Sequence, residues 1–166
     1  MKWAGVGPAA FGLVFFVGAC VQSGPPPTAR AEKVEELECA AARSDDVWLQ
    51  QATVLKMEPQ YLWDTCSGTA RVTGVKLLVR SPAGASRAQL IRMFHCASAR
   101  ATLGRVDPSR VPNDPYGFPG AWVDVDVDPE GDNLSVTLRA DTVPNNIRLL
   151  HRALAFVAEQ RAGANR

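Results

Sequence analysis

Apolar and polar residues alternate most strictly at Val123-Asp124-Val125-Asp126-Val127-Asp128, the pattern of a strand with one buried and one wet face. The same period recurs over residues 133–140 and 71–80. A fourth strand is expected over 52–57, followed by a turn or loop across 59–68. Helical spacing takes over at residues 87–103, where Ser86-x-x-Gln89 forms a capping box at the start and Gly104 can close the end. Another helix is expected over 144–161, with Ile147, Leu150, Leu154 and Val157 as its core face. Leu149 and Phe156 then project to the other side, to receive a further helix or a partner. That further helix is predicted over 29–43, where alanine and glutamate dominate. Its few apolar residues, Val34, Leu37 and Ala41, lay it on the domain and not within it.

The body therefore reads as two strand–strand–helix units. They align at an offset of 59, with Val75, Leu77 and Val79 matching Leu134, Val136 and Leu138, and Leu90-Ile91 matching Leu149-Leu150. The expected architecture is α+β: an antiparallel sheet of about four strands with two helices on one face, open to description as a tandem repeat, plus an N-terminal helix. In the second hairpin, Val123, Val125 and Val127 must share a face with Leu134, Val136 and Leu138, because a one-residue slip would bury the aspartates. Pairing Val127 with Leu134 leaves 129–132 as the loop and sets Trp122 opposite Arg139 in a cation–π contact.

The first 19 residues have a different character. Lys2 precedes an apolar run from Ala4 to Val17, closed by Gly18-Ala19, as in a secretory signal. Gly5, Gly7, Pro8 and Gly12 interrupt any membrane-spanning helix, which needs roughly 20 apolar residues. Val17-Gly18-Ala19-Cys20 resembles the lipobox of bacterial lipoproteins, whose cysteine is acylated and becomes the mature N-terminus. The resemblance implies lipidation at Cys20 and membrane association through the acyl chains. With Val21 following and no aspartate, it also implies the periplasmic face of the outer membrane. The expected organisation is a signal peptide over 1–19, a lipidated cysteine and proline-rich tether over 20–33, and one domain over 34–166.

The chain carries 18 basic and 17 acidic residues, and loss of Lys2 with the leader makes the two equal. Such a balance gives no electrostatic reason to bind nucleic acid or an anionic bilayer. With Cys20 acylated, Cys39, Cys66 and Cys96 remain, enough for one disulfide and one free thiol in an oxidising compartment. Cys39–Cys96 would tie the N-terminal helix to the core; Cys66–Cys96 is the rival pairing.

Three groups of side chains invite a functional reading. Met93, His95 and Cys96, with His151 from the last helix, are soft ligands suited to copper or zinc, although His95 and Cys96 leave the buried face of their helix on opposite flanks. A calcium loop begun at Asp126 places Thr137 where a bidentate glutamate is required, so the aspartates read as the wet face of a strand. The proline-rich segment 104–120 and the strand after it offer Tyr116, Phe118 and Trp122, either to a partner or as a cover for the end of the core. No nucleophile elbow, phosphate-binding glycine loop or triad-like grouping occurs, and neither enzymatic activity nor a cofactor is expected.

From Glu38-Cys39 through His95-Cys96-Ala97-Ser98-Ala99-Arg100 to the final helix, the chain also resembles a diffuse group of uncharacterised secreted proteobacterial proteins. That group often has cysteine followed by histidine on the middle helix, whereas here the order is reversed. The resemblance implies only architecture and an envelope location. The expectation is a membrane-tethered envelope lipoprotein acting as a non-enzymatic binding or accessory module with an envelope protein partner. The alternative is a periplasmic soft-metal or thiol-handling protein.

Overall fold

A computed structural model describes residues 25–39, 49, 52–65, 68–81, 84–106 and 113–164. Seven elements follow in the order α1 (Pro27–Glu38), β1 (Val54–Asp64), β2 (Thr69–Arg80), α2 (Arg87–Thr102), β3 (Val123–Glu130), β4 (Asn133–Ala140) and α3 (Val143–Ala164). The strands form one antiparallel sheet in the order β1-β2-β4-β3. The fold is α+β, with α2 lying over β3, α3 over β2 and β1, and α1 outside α2.

The offset of 59 has a geometric meaning in this sheet. β2 and β4 pair through Val75↔Leu138, Leu77↔Val136 and Val79↔Leu134. Leu77 thus faces the residue that the offset assigns to it, and the two strand–strand–helix units meet about a local two-fold between β2 and β4. The helix-side residues of the central strands, with Val123 and Val127 of β3, are buried and join Leu90, Phe94, Leu149, Ala153 and Phe156 in one core. At ~25 cal/mol per Å² of buried apolar surface, this shared core is the main source of stability.

Local chemistry sets the ends of the elements. Ser86 Oγ accepts from the Gln89 backbone N–H while Gln89 Oε1 accepts from that of Ser86. At the other end Gly104 takes φ +67°, Gly104 N–H donates to Ala101 and Arg105 N–H to Arg100, closing α2 with a Schellman turn. Buried Asn146 exchanges hydrogen bonds with both backbone groups of Ala140, and Gln160 bonds the backbone of Ala52 and Val54. These two amides pin α3 to the ends of β4 and β1.

Several expectations are corrected. β1 runs through the predicted loop to Asp64; Pro59 is tolerated because β1 is an edge strand. The second hairpin pairs Val127 with Val136 and Glu130 with Asn133, two residues from the predicted register. Gly131, at φ +62°, makes a two-residue turn with Asp132. An even slip preserves the faces, so the valines are still buried, but Arg139 faces Asp124 and not Trp122. The core face of α3 is Leu149, Ala153, Phe156 and Val157, whereas Ile147 and Leu154 are exposed. α1 begins with Pro27 in its first turn, within the predicted tether, and ends at Glu38; the predicted extension over 40–43 lies outside the described residues. It rests on α2 and Trp122 and not on α3, burying Ala31 and half-burying Val34 while Leu37 points to solvent.

Candidate functional site

The predicted site residues fall into separate environments. Cys20 and Cys66 lie outside the described residues. Cys39 and Cys96 form a disulfide with a Cα–Cα separation of 5.5 Å, joining the end of α1 to the middle of α2. Cys96 therefore has no thiolate to offer a metal. Met93 is buried in the main core. His95 stands half-buried against α1, with Nδ1 3.8 Å from Glu38 Oε2 and its ring 6.0 Å from that of Trp122. His151 is exposed on α3. The soft-ligand set is thus divided among a core, a disulfide and a surface, and no group of three or more metal-ligating side chains occurs among the described residues.

The aspartates of β3 are matched to arginines. Arg87, at the start of α2, reaches Asp128 at 3.0 Å and Asp126 at 3.5 Å. Arg30 of α1 contacts Asp124 at 2.5 Å and lies 4.6 Å from the centre of the Trp122 ring, whose Nε1–H donates to Asp124 at 2.9 Å. A second ion pair, Glu35–Arg105, joins α1 to the segment after α2. On the helix-free face of the sheet, Lys56–Glu58 and Lys76–Glu130 pair at 2.5 and 2.9 Å. The hydrogen bond between Lys56 and Glu58 raises the lysine's pKa and lowers the glutamate's. Both of those side chains are open to water.

Tyr116, Phe118 and Trp122 are corrected as partner-facing residues, since each is at most 2% exposed. The segment before β3 folds inward because α2 offers it a surface of small residues. A Cβ on Gly117 would lie 2.7 Å from that of Ala101 and 3.0 Å from Ser98 Cα, so only glycine fits there. Tyr116 then enters between Phe94 and Phe156, with ring centroids 4.9 and 6.0 Å away. Ser98 Oγ accepts from the Val123 N–H at 3.0 Å, and Thr102 Oγ1 lies 2.7 Å from the Ala121 carbonyl. Arg148 and Arg152 cover Phe118 from α3, with Arg152 Nε donating to the Asp114 carbonyl. The aromatic rings therefore seal the core under α2 and α3.

The Tyr116 hydroxyl is buried without a hydrogen-bond partner, and its pKa is raised, first by burial and then by the Asp114 charge. Replacing it with phenylalanine removes an unsatisfied polar group, so Tyr116→Phe is expected to raise stability by up to about 1 kcal/mol. The sign of the pH dependence follows from linkage. The folded pKa lies above the unfolded value of about 10, so the phenol's contribution is intact below that pH and is lost as pH rises above it. Urea midpoints at pH 8 and pH 11 should therefore fall less for Tyr116→Phe than for the parent protein. An equal fall, or a loss of stability at pH 8, would show that the hydroxyl is satisfied.

Other apolar side chains do face solvent, among them Leu37, Leu55, Val106 and Leu154 and a set at one end of the sheet. Tyr61, Leu62 and Trp63 are 59–63% exposed near the tip of the β1–β2 hairpin, and Val143 and Ile147 are 42% exposed in the first turns of α3. An open groove at the β3–β4 end of the sheet is lined by Pro25, Pro26, Arg30, Trp122, Asp141 and Thr142. The described chain enters the domain there. No helix among the described residues is long and apolar enough to cross a membrane. Comparison with known proteins returned no matching family model, no matching curated protein and no matching solved structure.

Proposed function

We propose that this chain is a lipid-anchored module of a bacterial envelope that binds or assists other components without catalysing a reaction. The observation that carries the proposal is the stretch Val17-Gly18-Ala19-Cys20, which closes a 14-residue apolar run from Ala4 to Val17 and is followed by the proline-rich Ser23–Pro27. Supporting it, the Cys39–Cys96 disulfide suits an oxidising compartment and fastens to the core the helix that the anchor would pull on. The aspartates of β3 are paired with arginines and its Glu130 with Lys76. The soft-metal alternative loses its central ligand to the disulfide.

Intact and peptide mass spectrometry of the protein isolated from bacterial membranes, before and after reduction, tests this reading. The expected result is acyl mass on an N-terminal Cys20, with Cys39 and Cys96 linked until reduction. A Cys20 peptide without acyl mass would overturn the anchor. A free Cys96 would reopen copper and zinc binding.

A further inference from the structure

We infer that α3 is a self-association surface: its outer face pairs antiparallel, about a two-fold axis, with the same face of α3 in a second copy of this chain.

The local symmetry of the domain singles out this face. The two-fold between β2 and β4 exchanges α2, which lies over β3, with α3, which lies over β2 and β1. At the offset of 59, Leu90 and Phe94 of α2 correspond to Leu149 and Ala153 of α3, and all four are buried in the core. His95, Cys96, Ala99 and Leu103 meet α1 on the outer side of α2. Their counterparts on α3 are Leu154, Ala155, Ala158 and Ala162. Ala155 is half-buried and the other three are exposed. The position in which α2 already receives a helix is therefore, on α3, a face of leucine and alanine turned to solvent.

The face extends along most of the helix. At roughly 100° per residue, Val143, Ile147, Leu150, Leu154, Ala158 and Arg161 fall within about 80° of one another. Val143 and Ile147 are 42% exposed and Leu154 49%, while Leu150 is half-buried at the margin and His151 stands on the flank. Arg161 is the charged member of the stripe. Arg148, Arg152 and Glu159 lie more than about 90° from its centre, where they meet Phe118, the Asp114 carbonyl and Asn113.

The placement of Arg161 selects the occupant and its direction. A parallel pair of α3 helices would bring the two Arg161 side chains together as like charges. In an antiparallel pair with its axis between residues 150 and 151, Ile147 meets the second copy's Leu154 and Val143 meets its Ala158. Arg161 then arrives beside the second copy's Asp141, just before the start of α3, and by symmetry each contact occurs twice. Asp141 Oδ1 accepts from Asn145 Nδ2 at 2.8 Å, which holds the carboxylate at the helix start, and a carboxylate has acceptor sites for an arginine as well. The apolar stripe supplies affinity and the charges set direction. A contact limited to about five turns of helix falls below the ~800 Å² per partner of a standard interface, so association in the micromolar range is expected.

Sedimentation equilibrium of the full protein in a non-ionic detergent, from about 5 to about 500 µM, brackets that range. The expected result is a mass that rises from monomer to dimer, and a monomer throughout for Leu154→Asp. Arg161→Glu alone and Asp141→Arg alone should each weaken association at least about tenfold, since each sets like charges at both ends of the pair. An equimolar mixture of those two variants should restore it, because opposite charges then meet at both ends. Leu154 and Arg161 are exposed, so Leu154→Asp and Arg161→Glu decide the case if the urea midpoint of Asp141→Arg shows that it does not fold. A parent protein that stays monomeric over the whole range would overturn the inference, as would a dimer unaffected by Leu154→Asp. A dimer that survives Arg161→Glu, or folded variants that fail to associate when mixed, would overturn the antiparallel pairing and the inference with it. Acylation of Cys20 enters none of these outcomes, so the anchor stands or falls separately.

Discussion

Replacing both Cys39 and Cys96 with alanine is expected to lower stability by about 2–4 kcal/mol, read as a lower urea midpoint for the double variant and for reduced parent protein alike. The bond closes a loop of 57 residues, for which the chain-entropy account gives about 4 kcal/mol. Its mechanical consequence is local. α1 is only 12 residues long, too short for a stable isolated helix, and it buries little besides Ala31. Without the disulfide it is held by Arg30–Asp124, by Arg30 on Trp122 and by Glu35–Arg105, and exposed ion pairs contribute about 0–1 kcal/mol each. Reduction should therefore release α1 before the sheet unfolds, with rapid amide exchange over Pro27–Glu38 and a red shift as Trp122 meets water. Equal midpoints for oxidised and reduced protein would show that α1 is held by its other contacts.

Much of the fold was legible because its signals are local. The alternation through β3, the capping box at Ser86 and the glycine at 104 each specify a structure within a few residues. The offset of 59 said nothing of strand order; only the folded sheet brings Leu77 and Val136 together between β2 and β4. Readings failed where two local solutions were equally good. On α3, the sets Ile147-Leu150-Leu154 and Leu149-Ala153-Phe156 both follow helical spacing. The choice falls to Asn146, buried against Ala140 at the end of the preceding strand, and Gln160, whose partners Ala52 and Val54 lie far back in the chain; both extend the second set. In the second hairpin, register slips of two residues leave the faces unchanged, so burial alone could not distinguish them; the turn at Gly131 does.

The candidate site shows a related asymmetry. A proline-rich segment with aromatics is compatible with either a partner-facing loop or a cover for the core, and Tyr116 and Phe118 take the second course. A signal of their burial was present elsewhere, in the small residues Ala97, Ser98 and Ala101 of α2, which allow Gly117 to approach closely. Conversely, Tyr61, Leu62 and Trp63 fall within the stretch 59–68 that reads as a turn or loop. Their exposure depends on how far β4 extends beside β2, a tertiary property with no local signature.

The position where that extension begins leads to the second large effect: Gly74→Ala is expected to destabilise the protein by about 3 kcal/mol, the upper part of the usual range for overpacking. A Cβ at Gly74 would lie 2.3 Å from the Leu138 carbonyl oxygen and 3.0 Å from Arg139 Cγ. The arginine side chain can move, but the carbonyl belongs to the backbone of a paired central strand. Relief requires β2 and β4 to separate where the two units meet, or the bulge beside Gln60 and Tyr61 to migrate. Gly163→Ala supplies the contrast, since no atom lies within 4 Å of its added Cβ and alanine favours the helix by up to about 1 kcal/mol. Urea denaturation of both variants should show a lower midpoint for Gly74→Ala and an unchanged or higher one for Gly163→Ala. Amide exchange would locate the damage, with protection lost first between β2 and β4 and kept within α2. An unchanged midpoint for Gly74→Ala would mean that the bulge yields freely, and that close approach of the β4 backbone is not what requires glycine at this junction.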